Sequence, residues 1–98
     1  KLIDSHDVKK QDAKNPVYKK YFMHGTSHFL GLDVHDVGNV KLPIENGMVF
    51  TCEPGIYIRD ESLGVRIEND ILVSESEPID LMGDIPIEAN HIEEIMNS

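Results

Sequence analysis

What this chain lacks narrows its class before any motif is read. Its single cysteine, Cys52, excludes an internal disulfide, and with no secretory leader in view a reducing, cytoplasmic setting is expected. Tryptophan is absent, and no apolar run approaches the ~18 residues of a membrane span. Basic residues are scarce after the start: positions 1–20 carry six Lys against three Asp, and the remainder carries three basic residues against fifteen acidic ones. A formal charge of −9 argues against a nucleic-acid partner and suits metal ions or a cationic substrate group. Gly-rich phosphate loops are missing, Ser27 lacks the surroundings of a nucleophile elbow, and there is no internal repeat or low-complexity tract. With 98 residues, 40% hydrophobic and 28% charged, there is material for one small domain of modest stability. The start at Lys1 rather than Met points to a fragment or processed product.

What is present is a concentration of histidine. His24 to Asp36, HGTSHFLGLDVHD, gathers three of the five histidines within twelve residues, with two aspartates and two glycines among them. A hydrophobic core has no use for so many imidazoles, because each buried polar group needs a partner. The i, i+4 spacing of His24 and His28 would put both rings on one side of a single helical turn, which Gly25 and Gly31 keep short. Asp36 follows His35 and could orient its ring, as carboxylates do for ligating or catalytic imidazoles.

Ahead of this stretch, Lys1–Tyr18 reads as a Lys-rich lead-in or the tail of a helix, and Tyr18–Met23 as a short strand or helix end that delivers His24. Behind it, Asn39–Gly47 is a connector with Pro43 and Asn46-Gly47 as turn signals. Met48–Ile58, MVFTCEPGIYI, has the strongest strand composition, Arg59–Gly64 is a turn, and Val65–Val73 is a second strand. Cys52 is expected as a small buried core residue. Glu53 is out of place, since a carboxylate in an apolar strand costs several kcal/mol unless paired or bound to a cation. Pro54 and Gly55 weaken the ladder, and a bulge is expected there. An antiparallel hairpin centred between Asp60 and Glu61 sets Glu53 opposite Glu68, roughly 5 Å apart at Cβ, with Arg66 on the same face. Two facing carboxylates want a shared cation or a proton. After the acidic, turn-rich Ser74–Pro86, a final helix is expected over Pro86–Met96, with Pro86 in its first turn and Ile87, Ile92, Ile95 and Met96 as a partial apolar stripe.

His28, Glu53 and Glu68 thus form a candidate nitrogen-and-oxygen ligand set for a divalent metal. Cys52 stays out of it, because strand alternation turns it to the face opposite Glu53. One imidazole among carboxylates favours Mn, Fe, Co or Zn in a reactive site over a structural zinc, and carboxylates able to bridge suit a two-metal centre that activates water.

The segments HGTSHFLGLDVHDVG, GMVFTCEPGIYI and GVRIENDILV, in this order and spacing, resemble the C-terminal half of the catalytic domain of proline-specific metallopeptidases with the pita-bread fold. These are the Xaa-Pro aminopeptidases and the Xaa-Pro dipeptidases, or prolidases. The likeness runs from Tyr18 to Val73 and continues more weakly into the final helix. The LGLDVHD wording resembles this branch rather than the methionine aminopeptidases of the same fold. The resemblance implies an α+β class: the C-terminal half of a creatinase/aminopeptidase-like domain, an antiparallel sheet with flanking helices, residues 1–98 being a single partial domain. It implies that His28 and Glu68 are metal ligands and that Glu53 is both ligand and general base. His24 and His35 would line the substrate site and steady the tetrahedral intermediate, with Arg66 in the network around Glu68 and facing substrate. The cofactors implied are two divalent metal ions, Mn first, with Co, Zn and Fe as alternatives. The partner implied is a proline-containing peptide cut at its Xaa-Pro bond, with neither nucleic acid nor membrane, by a full-length protein that is a homo-oligomer.

The family pattern also needs two aspartate ligands at a fixed separation upstream of the histidine motif, and no Asp pair here has that spacing. The chain alone is therefore expected to be inactive, to bind metal weakly, and to self-associate through an unpaired sheet edge and uncovered apolar surface. Two other readings rank lower. A catalytically silent pita-bread module that binds peptides or proteins would usually have lost ligands that are intact here. A metal-independent amidinohydrolase relative would tend to lack the carboxylates.

Overall fold

The computed structural model describes residues 14 and 16–98, and an antiparallel β-ribbon is its spine. Strands β1 (Val49–Cys52) and β2 (Gly55–Ile58) form one side, and β3 (Leu63–Arg66) and β4 (Asn69–Leu72) the other. A 3₁₀ turn over Arg59–Glu61, closed by Ser62 in the left-handed conformation, reverses the chain between β2 and β3. Both ladders share one register, which runs from Val49↔Leu72 to Cys52↔Asn69 and resumes from Gly55↔Arg66 to Ile58↔Leu63. The hairpin register expected from the sequence therefore holds, but each of the two long strands expected there is divided in two.

The division has a local cause. Pro54 offers no N–H to the ladder, and the Glu53 amide donates sideways to the Thr26 carbonyl at 2.8 Å. Glu53-Pro54 and Ile67-Glu68 both stand outside the paired strands. The expected bulge is not what forms, because a bulge needs one side to hold an extra residue. Here both sides leave the ladder by the same number of residues, so pairing opens without a change of register.

Two further segments widen the β1–β4 sheet. Strand β5 (Ile79–Asp80) pairs with β4, fastened by Asn69 Nδ2 to Asp80 Oδ2 at 2.8 Å. Along the free edge of β1, residues 26–30 run antiparallel: Leu30 N–H donates to the Val49 carbonyl at 3.1 Å and Thr51 N–H to the His28 carbonyl at 3.0 Å. Phe29 bridges to Phe50, with ring centroids 4.6 Å apart. This pairing displaces the helical turn expected at His24–His28, since the backbone groups a helix would use are given to β1. The connector to β1 ends in a turn at Gly47, whose φ of 89° is open to glycine at no steric cost.

At the front, a 3₁₀ turn over Val17–Lys20 leads into Tyr21, 8% exposed, whose carbonyl accepts from the Tyr57 amide at 2.8 Å. The helix end expected there is thus a 3₁₀ turn and not a strand. The Lys-rich lead-in lies outside the described residues up to position 15, except for Lys14. At the back, helix α1 spans Ala89–Met96, shorter than expected. Glu88 is still extended, with ψ at 129°, so Pro86 stands before the first turn and Ile87 is not part of the stripe. The helix starts where alanine, the best helix former, begins the run. Among the described residues no helix is long and apolar enough to cross a membrane.

Cys52 corrects another expectation, because it is exposed. Alternation does turn it away from Glu53, but no described element covers the face it takes. That face is an open groove of about 450 Å³ whose lining includes Phe29, Val40, Ile44, Phe50, Cys52 and Ile71.

The Phe29–Phe50 contact has no room to spare. A Cβ on Gly38 would fall 2.2 Å from the Phe29 ring, whereas one on Gly25 would meet nothing closer than 4.0 Å. Gly38→Ala should therefore cost about 1–3 kcal/mol as overpacking. Gly25→Ala should stay within about 0.5 kcal/mol. Thermal denaturation of both variants checks this, and equal midpoints would refute it.

Candidate metal centre

The opening in the ribbon is where the candidate ligands meet. Glu53 and Glu68 leave the ladder at the same rung, so continuing the register puts them face to face. The edge segment brings the third group, since it sets His28 beside Thr51, two residues before Glu53. One ligand atom from each of His28, Glu53 and Glu68 lies within 4.8 Å of the others. His28 and Glu53 are partly buried, and Glu68 is exposed.

Hydrogen bonding at His28 shows what the cluster lacks. Nδ1 sits 2.9 Å from the Phe29 carbonyl, an acceptor that requires the proton to be on Nδ1. In the neutral ring Nε2 then carries a lone pair, and it lies 3.0 Å from Glu53 Oε1, itself an acceptor. Two acceptors at that distance require positive charge, either a proton on Nε2 or a bound metal ion. A histidine anchored through one nitrogen to a carbonyl, with the other free to ligate, is the usual metal-binding arrangement. The donor set therefore fits a divalent ion.

Arg66 is the cation already present. Its Nε stands 3.8 Å from Glu53 Oε2 and 3.8 Å from Glu68 Oε2, too long for good hydrogen bonds but within ion-pair range. The side chain is 49% exposed, so solvent screens much of this attraction. Its guanidinium is held above the ordinary arginine pKa, chiefly by the bond to the Tyr57 hydroxyl, with smaller help from Glu53 and Glu68. Arginine is charged at any working pH, so it contributes a constant charge and no pH dependence.

Tyr57 ties the remaining residues together. His24 Nδ1 lies 2.7 Å from the Gly25 carbonyl and so bears the proton, which leaves Nε2 to accept from the Tyr57 hydroxyl at 2.7 Å. Arg66 Nη1 donates to the same hydroxyl at 3.5 Å. His24 thus reaches the glutamates through Tyr57 and Arg66 and does not share a helical face with His28. His35 is placed at the site directly, its ring centroid 4.5 Å from that of His28. Asp36 does not orient it. The Asp36 carboxylate accepts from the Val37 amide at 2.9 Å, a local bond of the kind short carboxylates form in loops.

Sequence reasoning missed Tyr57 and Thr51, although the signal was there. Positions 51, 53, 55 and 57 alternate onto one face of the ribbon, and the register that pairs Gly55 with Arg66 puts Tyr57 next to that arginine.

Known proteins carry the same pattern. Residues 2–75 match the model of metallopeptidase family M24. Xaa-Pro aminopeptidase 3 of Homo sapiens is 41% identical over 102 residues, covering 90% of this chain and 20% of that protein. Xaa-Pro aminopeptidase of Escherichia coli is 39% identical over 102 residues, covering 92% of this chain and 23% of that protein. Aminopeptidase P from E. coli, in its low-pH form, superposes with a TM-score of 0.79 at 34% identity, covering 98% of this chain and 26% of that one. The chain spans about a fifth to a quarter of the length of these relatives. The family match runs through the histidine segment and both glutamates, and the fold is that of part of the aminopeptidase P pita-bread domain, so this chain belongs to metallopeptidase family M24.

Proposed function

We propose that this chain is part of a metal-dependent exopeptidase that hydrolyses Xaa-Pro bonds. The observation that carries the reading is the convergence of His28, Glu53 and Glu68, with the acceptor-to-acceptor contact at His28 asking for a cation. In support, the relatives are Xaa-Pro aminopeptidases, and E. coli aminopeptidase P has been seen with the inhibitor Pro-Leu. On this reading residues 1–98 are one partial domain, and the full-length protein, a cytoplasmic homo-oligomer, completes the ligand set.

His28, Glu53 and Glu68 would hold divalent metal, Mn first in preference, as part of a two-metal centre. E. coli aminopeptidase P also exists in a Zn-substituted form, in keeping with ligands that do not select one ion strictly. When bound, the metal supplies Lewis acidity and a water acidic enough to attack near neutral pH. Glu53 is the general base and takes the proton of the attacking water. Its partial burial and its contacts to His28 and Arg66 hold the carboxylate in one orientation for that transfer. Arg66, 3.8 Å from an oxygen of each, offsets part of the repulsion between the two glutamates. His35, packed against His28 with its ring tilted, and His24, tied to Arg66 through Tyr57, line the approach and meet the substrate carbonyl as it becomes tetrahedral.

Two outcomes are expected. The full-length protein loaded with Mn should cleave Xaa-Pro peptides, and Glu53→Gln should lower kcat by about 10²–10⁴-fold. Comparing an Xaa-Pro dipeptide with an Xaa-Pro-Yaa tripeptide separates dipeptidase from aminopeptidase, and cleavage of neither with metal bound would leave the silent-module reading in its place. In calorimetric titration with Mn, the isolated 98-residue chain should bind more weakly than the full-length protein, and equal affinity would count against a shared ligand set.

A further inference from the structure

We propose that Thr51 is a positioning residue whose hydroxyl fixes His28 and Glu53 relative to one another. The proposal rests on the reading of those two residues as metal ligands.

Thr51 is 2% exposed and is the one fully buried polar side chain among the described residues. A buried strand position of this size suits valine, which has the same shape and no hydroxyl to desolvate. A hydroxyl retained there must be bonded, and this one is bonded on both sides. It accepts from the His28 amide at 3.1 Å and donates to Glu53 Oε1 at 3.2 Å.

The backbone pairing shows that the first of these bonds is not incidental. Thr51 N–H donates to the His28 carbonyl at 3.0 Å, which makes them a hydrogen-bonded antiparallel pair. In such a pair the reciprocal bond runs from the His28 amide to the Thr51 carbonyl. The amide goes to the hydroxyl instead, so the side chain of Thr51 replaces its own main chain as the acceptor. His28 is thereby held at both N–H and C=O by a single residue.

The second bond follows from the first. With a lone pair committed to the His28 amide, the hydroxyl directs its proton at an ionised carboxylate, which can only accept. Glu53 Oε1 then has Thr51 on one side and His28 Nε2, 3.0 Å away, on the other. The path from His28 N–H through Oγ1 to Oε1 has one consistent donor direction, and each bond polarises the next. Both hydrogen bonds of the Thr51 hydroxyl go to the His28–Glu53 pair, where its action is therefore centred. Its place two residues before Glu53 and opposite His28 lets one side chain hold the backbone of His28 and the carboxylate of Glu53 together.

The test uses the full-length protein and compares Thr51→Val with Thr51→Ser. Thr51→Val keeps shape and removes the hydroxyl, and Mn affinity by calorimetry should fall about 10- to 100-fold, while the melting midpoint of the metal-free protein drops no further than in Thr51→Ser. Thr51→Ser keeps the hydroxyl and loses a methyl, so affinity should stay within about two-fold even though the midpoint drops. Should Thr51→Val not fold, Thr51→Ala removes the hydroxyl without adding bulk and should show the same loss of affinity. Mn affinity unchanged by loss of the hydroxyl would overturn the proposal, as would a loss in Thr51→Ser equal to that in Thr51→Val, which would assign the effect to packing. If the unaltered full-length protein binds no Mn, the ligand reading of His28, Glu53 and Glu68 fails first and takes this proposal with it.

Discussion

Two carboxylates facing each other across one rung of a β-ribbon are the constraint on which this structure turns. Ligand oxygens of Glu53 and Glu68 lie within 4.8 Å. At an effective dielectric of about 20 their repulsion is about 3 kcal/mol before solvent screening reduces it. Arg66 stands at the same distance from each and offsets part of that, but one half-exposed guanidinium is a single charge against two. His28 Nε2 stands 3.0 Å from Glu53 Oε1, a contact that calls for a proton or a metal ion between the two atoms. The donor set thus favours a cation at this spot.

The ribbon accommodates this cluster by opening without slipping. Two residues on each side leave the ladder and the register resumes unchanged, so the hairpin beyond the gap still sets Tyr57 against Gly64 and Gly55 against Arg66. The backbone groups freed at the gap are re-used: the Glu53 amide goes to Thr26, which pulls the histidine segment along β1 and carries His28 to the glutamates. The interruption and the arrival of the third ligand are one event.

Much of this was legible in the sequence, because the governing rules are local. A carboxylate in an apolar strand beside Pro54 and Gly55 marked the site, and a period of two set Glu53 opposite Glu68. What failed depended on tertiary choices. The spacing of His24 and His28 suits a helix equally well until the edge of β1 offers their backbone a partner. The Asp36 carboxylate had two neighbours to choose from, and the nearer amide won. The apolar neighbours of Cys52 predict a core position, but alternation alone says which side a residue takes, not whether anything covers that side. An aromatic in a strand such as Tyr57 reads as packing, and only the fold sets its hydroxyl between an imidazole and a guanidinium.

The two faces of the ribbon divide the labour of the chain. One face carries Thr51, Glu53, Tyr57, Arg66 and Glu68, and among the described residues no buried side-chain polar atom is left without a partner. Its contacts come from adjacent strands and one edge segment, so short-range pairing suffices to assemble it. The other face carries Ile56, Val65 and Ile67, each 44–58% exposed, next to the groove of Phe50, Cys52 and Ile71. Apolar area of that kind stabilises a fold only when covered, at about 25 cal/mol per Å². Relatives four to five times longer than this chain have further sequence with which to cover it. Site geometry here is therefore encoded by register and alternation within the ribbon, and the opposite face, exposed among the described residues, adds stability only where it is covered. The two can vary separately, and a substitution on the apolar face can weaken the fold while leaving the arrangement of His28, Glu53 and Glu68 intact wherever the ribbon still forms.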